Sequence, residues 1–415
     1  MRTLRIGLLL GLRQIQRANI WTTALIIFVM AITFLNLIAV SGILVGLIVG
    51  SERAVQNKSI GDIIITPRDD EETILQTQQF SRELSLTPEI AAFTVRYNAG
   101  AKVEANYQTR RDLSEEANIV NGRLVGIDPA AEDIVTKISE NIIEGDYLIP
   151  NEDGYVLVGS RLLDRYNEGF PDIFDSLKNI YPGDSLLITI GEATKEFKVK
   201  GILDVKVDDV AGKIFMPERE LRRLSGNIDR NANEISIKLL PGSDAAGVKQ
   251  NLLNSGLGNY AKIRTFSEAL PKFLVDIKNT FNILGIFIGA IGIIVASITI
   301  FIIIFINALS RQRQIGILKG IGIERRVIEV AYVLQAAFYA VAGALIGTLI
   351  TYGFLVGYFD RNPIDFPFSD GILVADPMGT LIRFCILFII TLFAGFLPAW
   401  IIVKQNTLNS ILGRK

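Results

Sequence analysis

The sequence predicts an α-helical membrane protein with four transmembrane helices and a mixed α/β extracytoplasmic domain inserted between helices one and two. Half of the 415 residues are hydrophobic and the mean hydropathy is +0.38, which is too apolar for an ordinary soluble domain. Charged residues are absent from four long stretches, which lie between Arg17 and Glu52, Lys278 and Arg311, Glu329 and Asp360, and Arg383 and Lys404. Each stretch reaches or exceeds the roughly 20 residues that a helix needs to cross a bilayer.

The surplus length of the first two stretches predicts helices that continue beyond the bilayer as stalks. The predicted segments are 1–19 (cytoplasmic amphipathic segment), 20–50 (helix one and stalk), 51–278 (extracytoplasmic domain), 279–309 (helix two and stalk), 310–326 (cytoplasmic coupling loop), 327–359 (helix three), 360–378 (extracytoplasmic loop), 379–403 (helix four) and 404–415 (cytoplasmic tail).

The orientation follows from basic residues, which favour the cytoplasmic side of short flanks. Segment 1–19 has four arginines and no acid, and segment 310–326 has five basic residues and one acid. The 360–378 loop is acidic instead, with four aspartates and one arginine. Both termini are therefore expected on the cytoplasmic side of a bacterial cytoplasmic membrane, and residues 51–278 on the extracytoplasmic side.

The polar segment alternates short β-branched runs with turn residues, a pattern typical of a mixed α/β domain. Predicted strands are 61–67, 118–127, 185–190, 196–203 and 235–239, with a further hairpin formed by 93–97 and 102–107 around 98–100. Predicted helices are 130–140 capped by Asp128, a helix from Ser243 or Asp244 to near Gly256, and 266–278 leading into span two.

Composition excludes several function classes. The chain has no histidine and one cysteine, Cys385, so Ser-His-Asp catalysis, histidine metal sites and an intramolecular disulfide are all excluded. A formal net charge of −1 offers no basic field for nucleic acid. No phosphate-loop motif for ATP is present in the sequence.

Segment 311–322 is the most informative motif. Arg311, Ile315 and Leu318 recur at helical spacing, which predicts a short amphipathic helix with Ile315 and Leu318 on one side. Such a helix would let a moving ATPase push on the membrane helices. The alternative is a basic loop that only satisfies the positive-inside rule.

This run resembles the coupling helix of the FtsX/MacB/LolC-LolE family of ABC transporter permeases, whose pattern is close to R-E-I-G-I-L-K/R-A-I-G. Gln314 replaces the glutamate and Gly320 the alanine. The resemblance covers nearly the whole chain, and further matching stretches lie at 121–129, 143–146, 156–160, 181–185, 199–202 and 395–399.

The resemblance implies a stand-alone permease subunit of a mechanotransmission exporter, with a MacB-like periplasmic core domain and export or lipoprotein release as its activity. ATP and Mg would be bound by a partner ABC ATPase, and this chain would bind no cofactor. Other implied partners are a second permease copy or paralogue, membrane lipid, and an extracytoplasmic adaptor or carrier. The implied ATPase-coupling residues are Arg311, Arg313, Gln314, Ile315, Gly316, Leu318 and Lys319.

Small residues recur along predicted helix three, and Ala340, Gly343 and Gly347 are the expected helix-packing positions. In lipid, small side chains permit close helix approach. Two other functions stay open. One is an FtsX-like signalling subunit that controls an extracytoplasmic enzyme. The other is a membrane-bound enzyme using carboxylates such as Asp208 and Asp209.

Overall fold

The computed structural model describes residues 2–108, 117–167, 175–227, 229–362, 364–366, 369–371 and 373–404. These residues fall into two compact units. One is an α/β unit spanning Gly50–Val275, and the other is a helical unit made by the chain on either side of it. The predicted 404–415 tail beyond Lys404 and residues 168–174 lie outside the described residues.

The helices are α1 (Arg2–Gln16), α2 (Ile20–Val55), α3 (Thr77–Leu86), α4 (Pro129–Thr136), α5 (Asp208–Ala211), α6 (Glu218–Ser225), α7 (Ala245–Asn254), α8 (Phe266–Ala269), α9 (Lys272–Ser310), α10 (Gln312–Gly320), α11 (Arg325–Ile350), α12 (Val356–Arg361) and α13 (Pro377–Lys404). Two π-helical segments, Gln56–Ile60 and Thr351–Leu355, continue α2 and α11.

The strands are β1 (Ile63–Thr66), β2 (Ile90–Glu104), β3 (Ile119–Ile127), β4 (Ile142–Gly145), β5 (Tyr155–Gly159), β6 (Ser185–Ile190), β7 (Ala193–Leu203), β8 (Lys213–Pro217), β9 (Glu234–Leu239), β10 (Lys262–Thr265), β11 (Ile364–Phe366) and β12 (Ser369–Gly371).

Four helices in the described part of the chain are long and apolar enough to cross a membrane. They are Ile20–Ile60, Lys272–Ser310, Arg325–Arg361 and Pro377–Lys404. Their shared core contains Phe34 of α2, Ile300 of α9, Tyr332 and Tyr339 of α11, and Leu387 of α13, each at most 1% exposed. The helical unit is therefore a packed bundle.

The α/β unit is built on a large mixed sheet in the order β10-β1-β9-β2-β3-β8-β5-β7-β4, with β6 pairing both β2 and β7. The β3–β8 and β5–β7 pairs are parallel, and the other pairs are antiparallel. Buried apolar side chains cover the sheet in three clusters, to which α3, α5, α6 and α7 contribute residues. Such mixed pairing fits the predicted fold class.

The predicted hairpin around 98–100 is wrong. β2 runs straight through these residues, because its first half pairs with β9 and its second half with β3, where Asn98 lies opposite Val125. The Asn98 backbone N–H is satisfied by Asn233 Oδ1 at 2.7 Å. Long-range pairing thus outweighs the local turn preference of Asn and Gly.

The predicted 266–278 helix is also wrong, because it is interrupted. α8 begins with a capping box in which Thr265 N donates to Glu268 Oε2 at 2.9 Å, and it ends at Ala269. Leu270 is extended, as expected for a residue that precedes proline, and α9 starts after Pro271.

Other local predictions are confirmed. Asp128 caps α4 by accepting hydrogen bonds from Ala130 N and Ala131 N, with Pro129 in the first turn. Asp244, rather than Ser243, caps α7. The predicted strands 185–190 and 196–203 are present as β6 and β7, which pair as a hairpin, although β7 begins at Ala193.

Candidate functional site

The predicted amphipathic helix is present as α10. The segment is therefore a helix and not the basic loop considered as the alternative. It ends in a Schellman motif, in which Ile323 N donates to Leu318 O and Gly322 N donates to Lys319 O, both at 3.1 Å. Gly322 has the left-handed φ of +89° that this turn requires. The sequence thus stops α10 at a defined residue before α11 begins.

One face of α10 is embedded in the helical unit. Ile315 is 3% exposed and belongs to the same buried cluster as Ile328 of α11 and Ile402 of α13. Leu318 and Ile323 are half-buried and pack against that cluster. This face fixes α10 to the membrane-type helices by apolar contact.

Two basic side chains bind α10 and the start of α11 to the end of α13. Lys319 Nζ donates to Val403 O at 3.1 Å, and Arg325 Nη2 donates to Trp400 O at 3.4 Å. Both carbonyls lie in the C-terminal part of α13 that the structure describes, where the negative end of the helix dipole favours cations. Lys319 is therefore an anchor of α10 and points inward.

The opposite face of α10 is exposed. It carries Arg313, Gln314 and Ile317, and Ile321 follows one turn later at the cap. Ile317 is 50% and Ile321 71% exposed. We call this surface, made by Arg313, Gln314, Ile317 and Ile321, the α10 ridge.

The structure divides the seven predicted coupling residues between these surroundings. Arg313 and Gln314 lie on the ridge, Arg311 is half-buried at the α9–α10 junction, and Ile315, Gly316, Leu318 and Lys319 face the bundle. Ile315 and Leu318, which were predicted to share one side of the helix, do share the embedded side. Ile317 and Ile321 were missed, because isoleucine or leucine occurs all around this helix and leaves its phase undetermined.

The predicted packing positions lie where α11 meets α2. A methyl group built on Gly343 would lie 2.4 Å from Met30 Cβ, and one on Gly347 would lie 3.1 Å from Ala31 O. Ala340 is 1% exposed in the same cluster. These residues make contacts between helices and contribute no chemistry.

The amphipathic N-terminal segment forms α1, which packs on α11 through two glycines that belong to no recognisable motif. A methyl group on Gly7 would lie 3.1 Å from Val327 O, and one on Gly11 would lie 3.1 Å from Ala331 O. The outer face of α1 exposes Leu8, Leu9 and Leu12, an arrangement suited to an interfacial helix.

The carboxylates considered for catalysis are engaged in ion pairs. Asp208 Oδ1 accepts from Arg161 Nε at 3.0 Å, and Asp209 Oδ2 accepts from Lys213 Nζ at 2.5 Å. Both aspartates lie in α5 with side chains more than half exposed. This setting is typical of surface ion pairs.

Sequence comparison identifies two family domains in the chain. The MacB-like periplasmic core domain matches residues 23–254, more than half of the chain, and the FtsX-like permease C-terminal domain matches residues 286–407. Of the membrane-type helices, α9, α11 and α13 fall largely or wholly in the second match, as does α10.

Among curated relatives, the Macrolide export ATP-binding/permease protein MacB of Campylobacter jejuni is 24% identical over 255 residues, covering 57% of this chain and 38% of that protein. The ABC transporter permease YtrF of Bacillus subtilis is 26% identical over 172 residues, covering 39% of this chain and 38% of that protein. The chain thus spans less than two fifths of the length of each.

The crystal structure of the periplasmic region of MacB from Actinobacillus actinomycetemcomitans is similar at 12% identity and a TM-score of 0.37, over 51% of this chain and 92% of that chain. The two domain matches account for the α/β unit and for the helices that follow it. The chain belongs to the ABC transporter permease family defined by a MacB-like periplasmic core domain and an FtsX-like permease C-terminal domain.

Proposed function

We propose that this chain is the permease subunit of an ABC exporter of the mechanotransmission type. A separate ATPase binds ATP and Mg, closes, and pushes α10; the membrane helices pass that motion to the α/β unit. Substrate is then expelled, or lifted from the outer leaflet, at the outer face of the cytoplasmic membrane. This chain binds no cofactor of its own in this scheme.

The α10 ridge is the observation that carries the proposal. A helix exposed on one side and embedded on the other can receive a push and pass it directly to the helices it touches. The ridge also combines exposed apolar area with a cation and an amide, a composition suited to a protein groove. Ile317 and Ile321 would insert, and Arg313 and Gln314 would contact the rim.

The proposed topology has four spans with the α/β unit outside. The charge asymmetry of the sequence supports it, because α1 and the α10 region are basic and the loop before α13 is acidic. In this orientation α10 lies at the cytoplasmic surface, where an ATPase can reach it.

A second permease copy or paralogue completes the transporter. Its support is α9, whose apolar side chains are largely uncovered in the single chain: Ile286 is 72% and Ile291 61% exposed. Two ATPases that close together would then act on two α10 ridges. The name of the Campylobacter relative suggests macrolides as one substrate class, and lipoproteins are another.

The test is a charge placed on the ridge. Ile321→Glu should abolish copurification of the ATPase and ATP-driven activity, while the permease keeps its melting temperature because the side chain is exposed. The matched control is Ile134→Glu on α4, since Ile134 is 65% exposed in the α/β unit. An Ile321→Glu protein that still copurifies with, and stimulates, the ATPase would refute the proposal.

The same preparation separates transport from signalling. If a cell-wall hydrolase copurifies with the wild-type chain and no substrate is moved by the reconstituted complex, the chain acts as an FtsX-like signalling subunit. The ridge would then still be the ATPase contact, but the output would be a bound enzyme.

A further inference from the structure

A buried cluster of charges lies in the α/β unit, where the polypeptide leaves α2. Arg96 of β2 is its centre, and its side chain is 7% exposed. The guanidinium donates to Glu132 of α4 through Nε at 3.0 Å and Nη2 at 2.6 Å, and it also pairs with Glu234 of β9. One cation thus joins a strand, a helix and a neighbouring strand.

The same guanidinium also holds the end of the π-helical segment. Arg96 Nη1 donates to Ser59 O at 2.7 Å, and Ser236 Oγ of β9 donates to the same carbonyl at 3.1 Å. This carbonyl belongs to the last turn of a helix and has no intrahelical donor. Two buried side chains supply the hydrogen bonds that the helix cannot.

Flanking contacts hold the rest of the segment. Lys58 Nζ donates to Lys137 O at the end of α4 at 3.1 Å, and Gln56 Nε2 donates to Asp62 Oδ1 at 2.8 Å. The other oxygen of Asp62 accepts from Leu239 N of β9 at 2.8 Å. These contacts join the segment to β2, to β9, to the end of α4 and to the chain just after the segment.

The carboxylates that orient Arg96 are themselves fixed. Glu132 is 1% exposed, and its Oε2 accepts from Thr94 Oγ1 at 2.9 Å while its Oε1 accepts from Thr136 Oγ1 at 3.1 Å. A guanidinium held by two oriented carboxylates keeps its remaining N–H direction fixed. That direction is the one toward Ser59.

We propose that Arg96, supported by Glu132 and Glu234, is a positioning residue that clamps the end of the first membrane helix to β9 and α4. Displacement of that helix end is then transferred to the sheet and is not absorbed by a loose linker. The role of the clamp in transport rests on the proposed function, but the contacts that form the clamp lie within this chain alone.

Hydrogen–deuterium exchange of the purified full-length chain tests the clamp. Arg96→Lys keeps one positive charge but cannot bind a carboxylate and a helix carbonyl in fork geometry, so exchange in 57–61 should rise at least about tenfold. Exchange in the β6–β7 hairpin should stay within about twofold. Ser236→Ala, which leaves the charge cluster intact, should give a smaller rise confined to 57–61.

The matched control is Glu220→Gln. Glu220 is an equally buried carboxylate, at 2% exposure, that accepts from Gly154 N at 2.5 Å and pairs with Lys195, away from the π-helical segment. It should leave exchange in 57–61 unchanged. Unchanged exchange there in both Arg96→Lys and Ser236→Ala would overturn the proposal, and so would an equal rise throughout the α/β unit in both.

A second arm uses the complex isolated with its ATPase. ATP with orthovanadate should alter exchange in 57–61 and in β9 of the wild type. In Arg96→Lys the change in β9 should be lost while ATP hydrolysis continues, and its persistence would contradict the clamp. If no ATPase copurifies, the proposed function fails, but the first arm still decides whether the clamp exists.

Discussion

Close packing of α11 on α2 gives the sharpest stability prediction. A methyl group at Gly343 would lie 2.4 Å from Met30 Cβ and 3.0 Å from Ala31 N. Carbon atoms in contact need about 3.5–4.0 Å, so the helices must separate by more than about 1 Å or the substituted residue must strain. Since one obstacle is backbone, a rotamer change cannot relieve it.

The cost of Gly343→Ala follows from overpacking, which is typically about 1–3 kcal/mol. Replacing a helical glycine by alanine also gains about 1 kcal/mol of helix propensity. Gly292→Ala in α9 is the matched control, because a methyl group there meets nothing within 4 Å. The two variants share the propensity gain, so their difference isolates the packing cost.

The assay is SDS-induced unfolding of the purified full-length chain, followed by tryptophan fluorescence. Both tryptophans, Trp21 and Trp400, lie in the helical unit and report on it. Gly343→Ala should be less stable than Gly292→Ala by about 1–3 kcal/mol, or about 5- to 150-fold in the unfolding equilibrium. Gly347→Ala should fall between them, since its nearest contacts are 3.1 Å away. Identical transitions for Gly343→Ala and Gly292→Ala would refute the close approach of these helices.

Two further predictions concern charged groups. Lys319→Met removes the donor to Val403 O, so the contact between α10 and α13 should loosen. Limited trypsin digestion should then cleave after Arg313 faster than in the wild type. An unchanged cleavage rate would contradict the anchoring role of Lys319. Burial raises the pKa of the Glu132 carboxyl, but the Arg96 charge together with the hydrogen bonds from Arg96, Thr94 and Thr136 outweighs burial and holds that pKa below its ordinary value. The stability from this carboxylate is therefore present above the ordinary carboxyl pKa and is lost as pH falls through the lowered value. Glu132→Gln should lower the melting temperature at pH 7, by removing one partner of a buried pair, and the difference from the wild type should shrink in acid; a constant difference would refute the assignment.

The elements that sequence predicts well are those whose signal is local. Four stretches without charged residues identify the membrane-type helices, because charged side chains are unfavourable in the bilayer core however the helices pack. The Asp128-Pro129 start of α4 is equally local, because an aspartate cap and a proline in the first turn act within three residues.

Predictions fail where distant parts of the chain decide. Asn98 and Gly100 carry turn propensity, yet β3 and β9 hold them in one continuous strand. The Arg96 cluster joins residues that lie 36 and 138 positions away, and no spacing in the sequence reveals it. For α10, the helix was predictable, but its rotational phase depended on which isoleucines meet α11 and α13.

Two cationic side chains act on helix ends in the same physical way. Lys319 donates to Val403 O at the C-terminal end of α13, and Arg96 donates to Ser59 O at the C-terminal end of the helix that begins with α2. Each places positive charge toward the negative, C-terminal end of a helix dipole. These bonds fix each helix at its tip, in addition to the packing of its length in the helical unit. A rigid helix that is bonded at its tip moves the element that its tip contacts when the helix tilts or shifts, which is the property that a push on α10 would require.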